Sequence, residues 1–164
     1  VRLVHHTTWN STAVNPGTII ETTFKQAGIT FTVVPLGESR VNFDLNNDGM
    51  IDVASWMSAE MQAIRDNCDD PDVDFIIFVV SNPSDGSLGF MDFNQRYGFV
   101  HGGGGQVFAH ELGHGQGLSH IFELDNAGNP INVPAKGIDQ NNLMHPYADA
   151  VRVKLRKGQW DSLN

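Results

Sequence analysis

The apolar positions of the chain change period several times, and each change marks an element. Residues 1–9 ("VRLVHHTTW") read as a first strand. Asn15 followed by Pro16 is a helix start, a side-chain cap and then proline at the first helical position. Ile19, Ile20, Thr23, Phe24 and Ala27 share one helical face, and Gly28 stops that helix. Residues 29–36 ("ITFTVVPL") predict a strand, 44–52 ("DLNNDGMID") a loop, and 53–67 a second amphipathic helix. Residues 75–81 ("FIIFVVS") are apolar almost without interruption and bounded by turn residues, the pattern of a central strand buried on both faces. Short strands over 87–93 and 97–100 flank a turn. Glycines 102–105 then lead into a helix that begins near Gln106. After His120 the chain is polar and turn-rich as far as 141–147 ("NNLMHPY"), and a last helix spans 155–163. There is no internal repeat and no low-complexity linker.

Composition narrows the class. At 164 residues the chain is expected to be one domain with a real core. No apolar run is long enough to span a bilayer, so no membrane insertion is expected. The net charge of −9 argues against nucleic acid or an anionic membrane as the main partner. The chain opens on Val1 with no initiator methionine and no signal-peptide pattern, and so reads as a mature form or an excised domain. Cys68 is the single cysteine, so no internal disulfide forms, which is common in secreted bacterial proteins. "CDDPD" at 68–72 superficially resembles the Cys-x-x-Pro-Asp of some protease propeptides. It stands before a core strand, and an ordinary loop thiol is the better reading.

The candidate chemistry lies in "HELGHGQGLSH", residues 110–120. On a helix, His110 and His114 stand one turn apart on one face, about 6 Å along the axis, and can reach one ion together. Glu111 is rotated away from them, where it suits a base acting on water. His120 follows too late to share that face, so the helix must end and the chain turn back. Gly117 supplies the break. Gly113 and Gly115 are expected to allow close packing against neighbouring strands.

His110, Glu111, His114, Gly117 and His120 match HExxHxxGxxH without a gap, and the chain resembles the metzincin metallopeptidases. Met144 in "NLMHPY" matches the family's methionine turn beneath the metal. The resemblance implies an α/β (α+β) fold with a mixed, mostly parallel N-terminal sheet, backing helices and the active-site helix. A smaller irregular C-terminal subdomain would carry the methionine turn and the final helix. The domain would be 1–164, divided into 1–117 and 118–164. It further implies a zinc endopeptidase: zinc on His110, His114 and His120, water activated at the metal, and Glu111 as general base and then acid. Met144 would pack under the histidines without a chemical step. The edge strand holding Leu88 and Gly89 would grip an extended peptide, and Tyr147 would wall the pocket. A tyrosine two residues after the turn methionine, present in some branches, is replaced here by Pro146. "LMHPY" is closer to the matrixin-type branch, from which the long 121–141 segment departs. "KGQWDSLN" at the end faintly resembles bacterial toxin and effector peptidase domains. The expected partner is a protein or peptide substrate, the expected state a monomer, and the expected location extracellular and bacterial. A zinc amidase acting on cell-wall peptide, a toxin or effector domain, and a non-catalytic binding module on the same fold are the alternatives. An intact Glu111 speaks against the last.

Residues 44–52 also resemble a calcium loop of EF-hand or dockerin type. Asp44, Asn46, Asp48, the Met50 carbonyl and Asp52 stand at positions one, three, five, seven and nine, with Gly49 at six. Ser55 occupies position twelve, where a carboxylate is expected. The competing reading is a plain Asn-Asp-Gly turn. The glycine run at 102–105 lacks phosphate-loop spacing. His5, His6, His101 and His145 lie outside the zinc signature and read as surface or supporting residues.

Overall fold

The computed structural model describes residues 2–6, 16–39, 43–54, 57–80, 83–92, 94–101, 104–125, 127–134, 137–147 and 154–163. The elements run β1 (Arg2–His6), α1 (Gly17–Lys25), β2 (Val34–Ser39), α2 (Ala59–Cys68), β3 (Ile76–Val79), β4 (Gly89–Met91) and β5 (Tyr97–Val100). They continue with α3 (Gly105–Gly115), β6 (Glu123–Leu124), β7 (Pro130–Ile131) and α4 (Lys157–Leu163). The fold is mixed α/β. A five-stranded sheet has the order β2-β1-β3-β5-β4, and β6 and β7 form a separate antiparallel hairpin. Four of the five strands are parallel to one another, and β4 alone runs antiparallel, at one edge.

The apolar run at 75–81 explains the centre of this sheet. β3 lies between β1 and β5, and all four of its side chains are buried. Alternate residues face opposite sides. Ile77 and Val79 pack in one core with Ile20 and Phe24 of α1 and Val107, Phe108 and Leu112 of α3. Ile76 and Phe78 pack in a second core with Met61 and Ile64 of α2 and with Phe43 and Ile51. Each such side chain contributes about 1.5–3 kcal/mol when fully buried. The strand is thereby locked from both faces, and its neighbour β5 delivers the chain to the start of α3.

Several boundaries differ from the sequence reading. β2 begins at Val34, not at Ile29. Phe31 instead turns its ring edge-on to Phe24 and Phe75, so the apolar residues before Val34 seal the end of α1. α2 begins six residues later than the predicted 53. Ser58 caps it, its hydroxyl accepting the Met61 N–H at 3.1 Å. The stretch before it is held elsewhere: Ile51 bridges to Pro83, and the Val53 N–H donates to Ser84 Oγ. α4 starts at Lys157 rather than at 155. The β6–β7 hairpin stands where only a turn-rich stretch was expected. Asn15, Ser55, Gly102, Gly103 and residues 7–9 lie outside the described residues.

Candidate active site

α3 ends in a turn that its sequence specifies. Gly117 has φ +85°, a left-handed conformation that glycine adopts without penalty. Its N–H donates to the His114 carbonyl at 2.8 Å, and the Leu118 N–H donates to the Gly113 carbonyl at 2.9 Å. These are the paired bonds of a Schellman motif. The turn sends the chain back so that His120 faces the helix it has just left. His120 Nε2 lies 3.2 Å from His110 Nε2 and 3.1 Å from His114 Nε2.

The other ring nitrogens are held by main-chain oxygens. His110 Nδ1 lies 2.7 Å from the Leu143 carbonyl, and His114 Nδ1 lies 2.8 Å from the Leu118 carbonyl. A carbonyl can only accept, so each Nδ1 carries the proton and donates it. In the neutral form of these rings Nε2 is then the acceptor, and both Nε2 atoms point at the same spot as His120 Nε2. Ligands about 2.0–2.1 Å from a tetrahedral zinc sit roughly 3.3 Å apart, close to the spacing found here. The donor set therefore fits zinc. Among the described residues, His110, His114 and His120 form the group of three whose ligand atoms all lie within 4.8 Å of one another.

Glu111, next to His110, is 4 % exposed and lines the same cleft. The cleft has a volume of about 400 Å³. Its walls are residues 86–91, the three histidines, Glu111 and Pro146. Leu88 and Gly89 thus stand on the wall formed by the edge strand. Gly89 is opposite Val100, and the Leu88 carbonyl accepts the His101 N–H at 2.8 Å. Because backbone groups alternate along an antiparallel strand, the Gly89 N–H and carbonyl face the open edge.

Tyr147 stands behind the wall and does not line the cleft. Its hydroxyl donates to the Gly128 carbonyl at 2.9 Å, and its ring packs on Phe122 and His145. Pro146 takes the lining position. Met144 is fully buried under the helix. Its N–H donates to Asn142 Oδ1, and Asn142 Nδ2 donates to Gln159 Oε1, which ties this turn to α4. Gly113 packs on this turn and not on a strand: a β-carbon there would lie 2.5 Å from Met144 Sδ. Gly115 does face a strand, through Met91 of β4. The two carbonyls that orient the histidines escaped the sequence reading. Leu118 at least follows the helix-ending glycine directly, where a Schellman turn places it.

The 44–52 loop is closed by its own hydrogen bonds. Asp44 Oδ1 and Oδ2 accept the Asp48 and Gly49 N–H groups, Asn46 Oδ1 accepts the Asp48 N–H, and Asp48 Oδ1 accepts the Met50 N–H. Asp44, Asp48 and Asp52 do not come together as the three histidines do. A residue outside the motif anchors the loop. Glu60 of α2 is 2 % exposed and accepts the Leu45 and Asn46 N–H groups on Oε1 and the Asp52 N–H on Oε2.

No protein family and no curated protein sequence matches the chain. Solved structures do. One is mirolysin in complex with compound 9, at 15 % identity and TM-score 0.62, covering 99 % of this chain and 89 % of that one. Tannerella forsythia mature mirolysin in complex with a cleaved peptide matches at 16 % identity and TM-score 0.56, again over 99 % and 89 %. Archaemetzincin from Methanopyrus kandleri matches at 12 % identity and TM-score 0.54, over 99 % and 92 %. A chain from a chaperone–substrate complex matches at 15 % identity and TM-score 0.56, and this protein spans 32 % of it. The chain thus shares its fold with mirolysin and archaemetzincin. No helix among the described residues is long and apolar enough to cross a membrane.

Proposed function

We propose that the chain is a zinc-dependent endopeptidase domain, with His110, His114 and His120 holding the metal and Glu111 moving the proton. The observation that carries this is the convergence of three Nε2 atoms beside a buried carboxylate, in a cleft beneath an open strand edge. Zinc, when bound, supplies a Lewis acid that polarises a carbonyl and eases loss of a proton from water. The remaining work falls to the protein. The outward N–H and carbonyl of Gly89 pair with an extended peptide as an added strand, which aligns the peptide without reading its sequence. The Glu111 carboxylate takes the proton of the attacking water and then delivers it to the leaving amine. Leu118 and Leu143 keep two imidazoles in one tautomer. Residues 1–117 supply the upper wall and the base, and 118–164 supply the third histidine, the methionine turn and Pro146.

The test is digestion of a peptide library by the zinc-loaded protein, with cut sites mapped by mass spectrometry. Glu111→Gln should retain one zinc per chain and lose cleavage by on the order of 10²–10⁴-fold. His110→Ala/His114→Ala should lose the zinc. Cleavage by Glu111→Gln at the rate of the parent protein, or no cleavage by either, would refute the proposal.

A further inference from the structure

Gly89 sits against Glu111 more closely than any other residue type could. A β-carbon at Gly89 would lie 2.6 Å from Glu111 Oε1, 2.7 Å from its Cγ and 2.8 Å from its Cδ. Real side chains do not approach so closely. The backbone of Gly89 is otherwise ordinary strand, paired with Val100, and has no left-handed φ that would itself demand glycine. The three atoms nearest to the missing β-carbon all belong to Glu111.

We infer that Gly89 is the positioning residue for Glu111: the empty space at its α-carbon sets where the carboxylate stands in the cleft. This rests on the proposed role of Glu111 as the base and deepens it. One residue then meets two needs. Its outward N–H and carbonyl face the position of an added peptide strand, and its bare α-carbon admits the carboxylate on the side of α3. Substrate backbone and base are brought to the same residue from different directions.

The energetics separate this role from a structural one. The three nearest atoms that a new β-carbon would meet, from Cγ to Oε1, belong to the Glu111 side chain and not to backbone. Glu111 must swing away to make room for it. A general base must lie within about 2.6–3.2 Å of the proton it takes, so the same swing is expensive for the reaction. Alanine at position 89 should leave the fold and the metal in place while removing the base.

The experiment compares Gly89→Ala with the parent protein, both loaded with zinc. Gly158→Ala serves as a control, since a β-carbon there meets nothing within 4 Å. Gly89→Ala is expected to keep its melting temperature and zinc content. Its kcat should fall at least about tenfold, as for a displaced general base, while KM changes by less than about twofold because the backbone still pairs with the peptide. A crystal structure of Gly89→Ala, read independently of activity, should show the Glu111 carboxylate moved from its place. Gly158→Ala should match the parent in kcat, KM and zinc content. Unchanged kcat, or a Glu111 carboxylate still in position, would overturn the inference. So would loss of zinc or a large drop in melting temperature, since either would make Gly89 merely structural. If the parent protein cuts no peptide, the proposed function fails, and the position of Glu111 in the crystal still decides the part played by Gly89.

Discussion

Glu60 shows how one side chain can hold a loop without belonging to it. It satisfies three backbone N–H groups, the first fifteen residues upstream and the last eight. A hydrogen bond to a charged group contributes about 1.5–3 kcal/mol. Glu60→Ala should therefore lower the unfolding free energy by about 2 kcal/mol in urea titration. Glu60→Gln should fall between the two, since one of its oxygens becomes a donor facing another donor. A stability of Glu60→Ala equal to the parent would show that water replaces the carboxylate at no cost. In the sequence, Glu60 reads as one more polar residue of an amphipathic helix. Its importance comes from partners far away in the chain, which periodicity does not reveal. The histidines were legible for the opposite reason: His110, His114 and His120 are fixed relative to one another by a single helix and its terminating turn.

Among the elements, the β6–β7 hairpin is the one whose stability should follow pH. Asp125 closes it, accepting the backbone N–H and the side-chain amide of Asn129 and the N–H of Ala127. The Asn129 backbone bond first, then its side chain, hold the Asp125 carboxyl below the usual carboxylate value of 3.8. A group with a lowered folded pKa stabilises above its unfolded pKa, and that contribution is lost as pH falls through the folded value. Protection of the Ala127 and Asn129 amides, taken relative to their intrinsic exchange rates at each pH, should therefore fall below pH 3.8, while amides of β3 stay protected. Asp125→Asn should show the loosened hairpin at neutral pH. Equal protection in the variant and the parent would remove Asp125 from this role. Elements of two residues leave no periodic trace, which is why this hairpin was not foreseen. The central strand was legible because burial on both faces writes an unbroken apolar run, and α3 because its histidines stand one turn apart. The starts of β2 and α2 were misplaced because Phe31 and Val53 serve contacts outside any regular element.

At the scale of the whole molecule, the site is a meeting point of distant segments. The edge strand, α3, the turn at Gly117 and the loop at Met144 come from residues 88 to 145 and share no local hydrogen-bond ladder. The fold seen in mirolysin and archaemetzincin persists here at 12–16 % identity.

The burial of Met144 makes its sulfur a clock for breathing of the molecule. The side chain is inaccessible, and its Sδ fills the space beside Gly113 so closely that not even a β-carbon fits there. A sulfoxide oxygen has no room in the closed state. Peroxide must wait for the turn to lift off the helix, so the rate of Met144 oxidation measures how often that happens. Met50, 38 % exposed, provides the solvent-limited reference in the same chain. Peptide mass spectrometry over a peroxide time course should find Met50 oxidised first and Met144 far behind. Zinc should slow Met144 further without touching Met50, because a metal gripping His120 pins the returning chain to α3. Matching rates at the two sulfurs would mean that the packing beneath α3 is as open to reagents as an exposed loop.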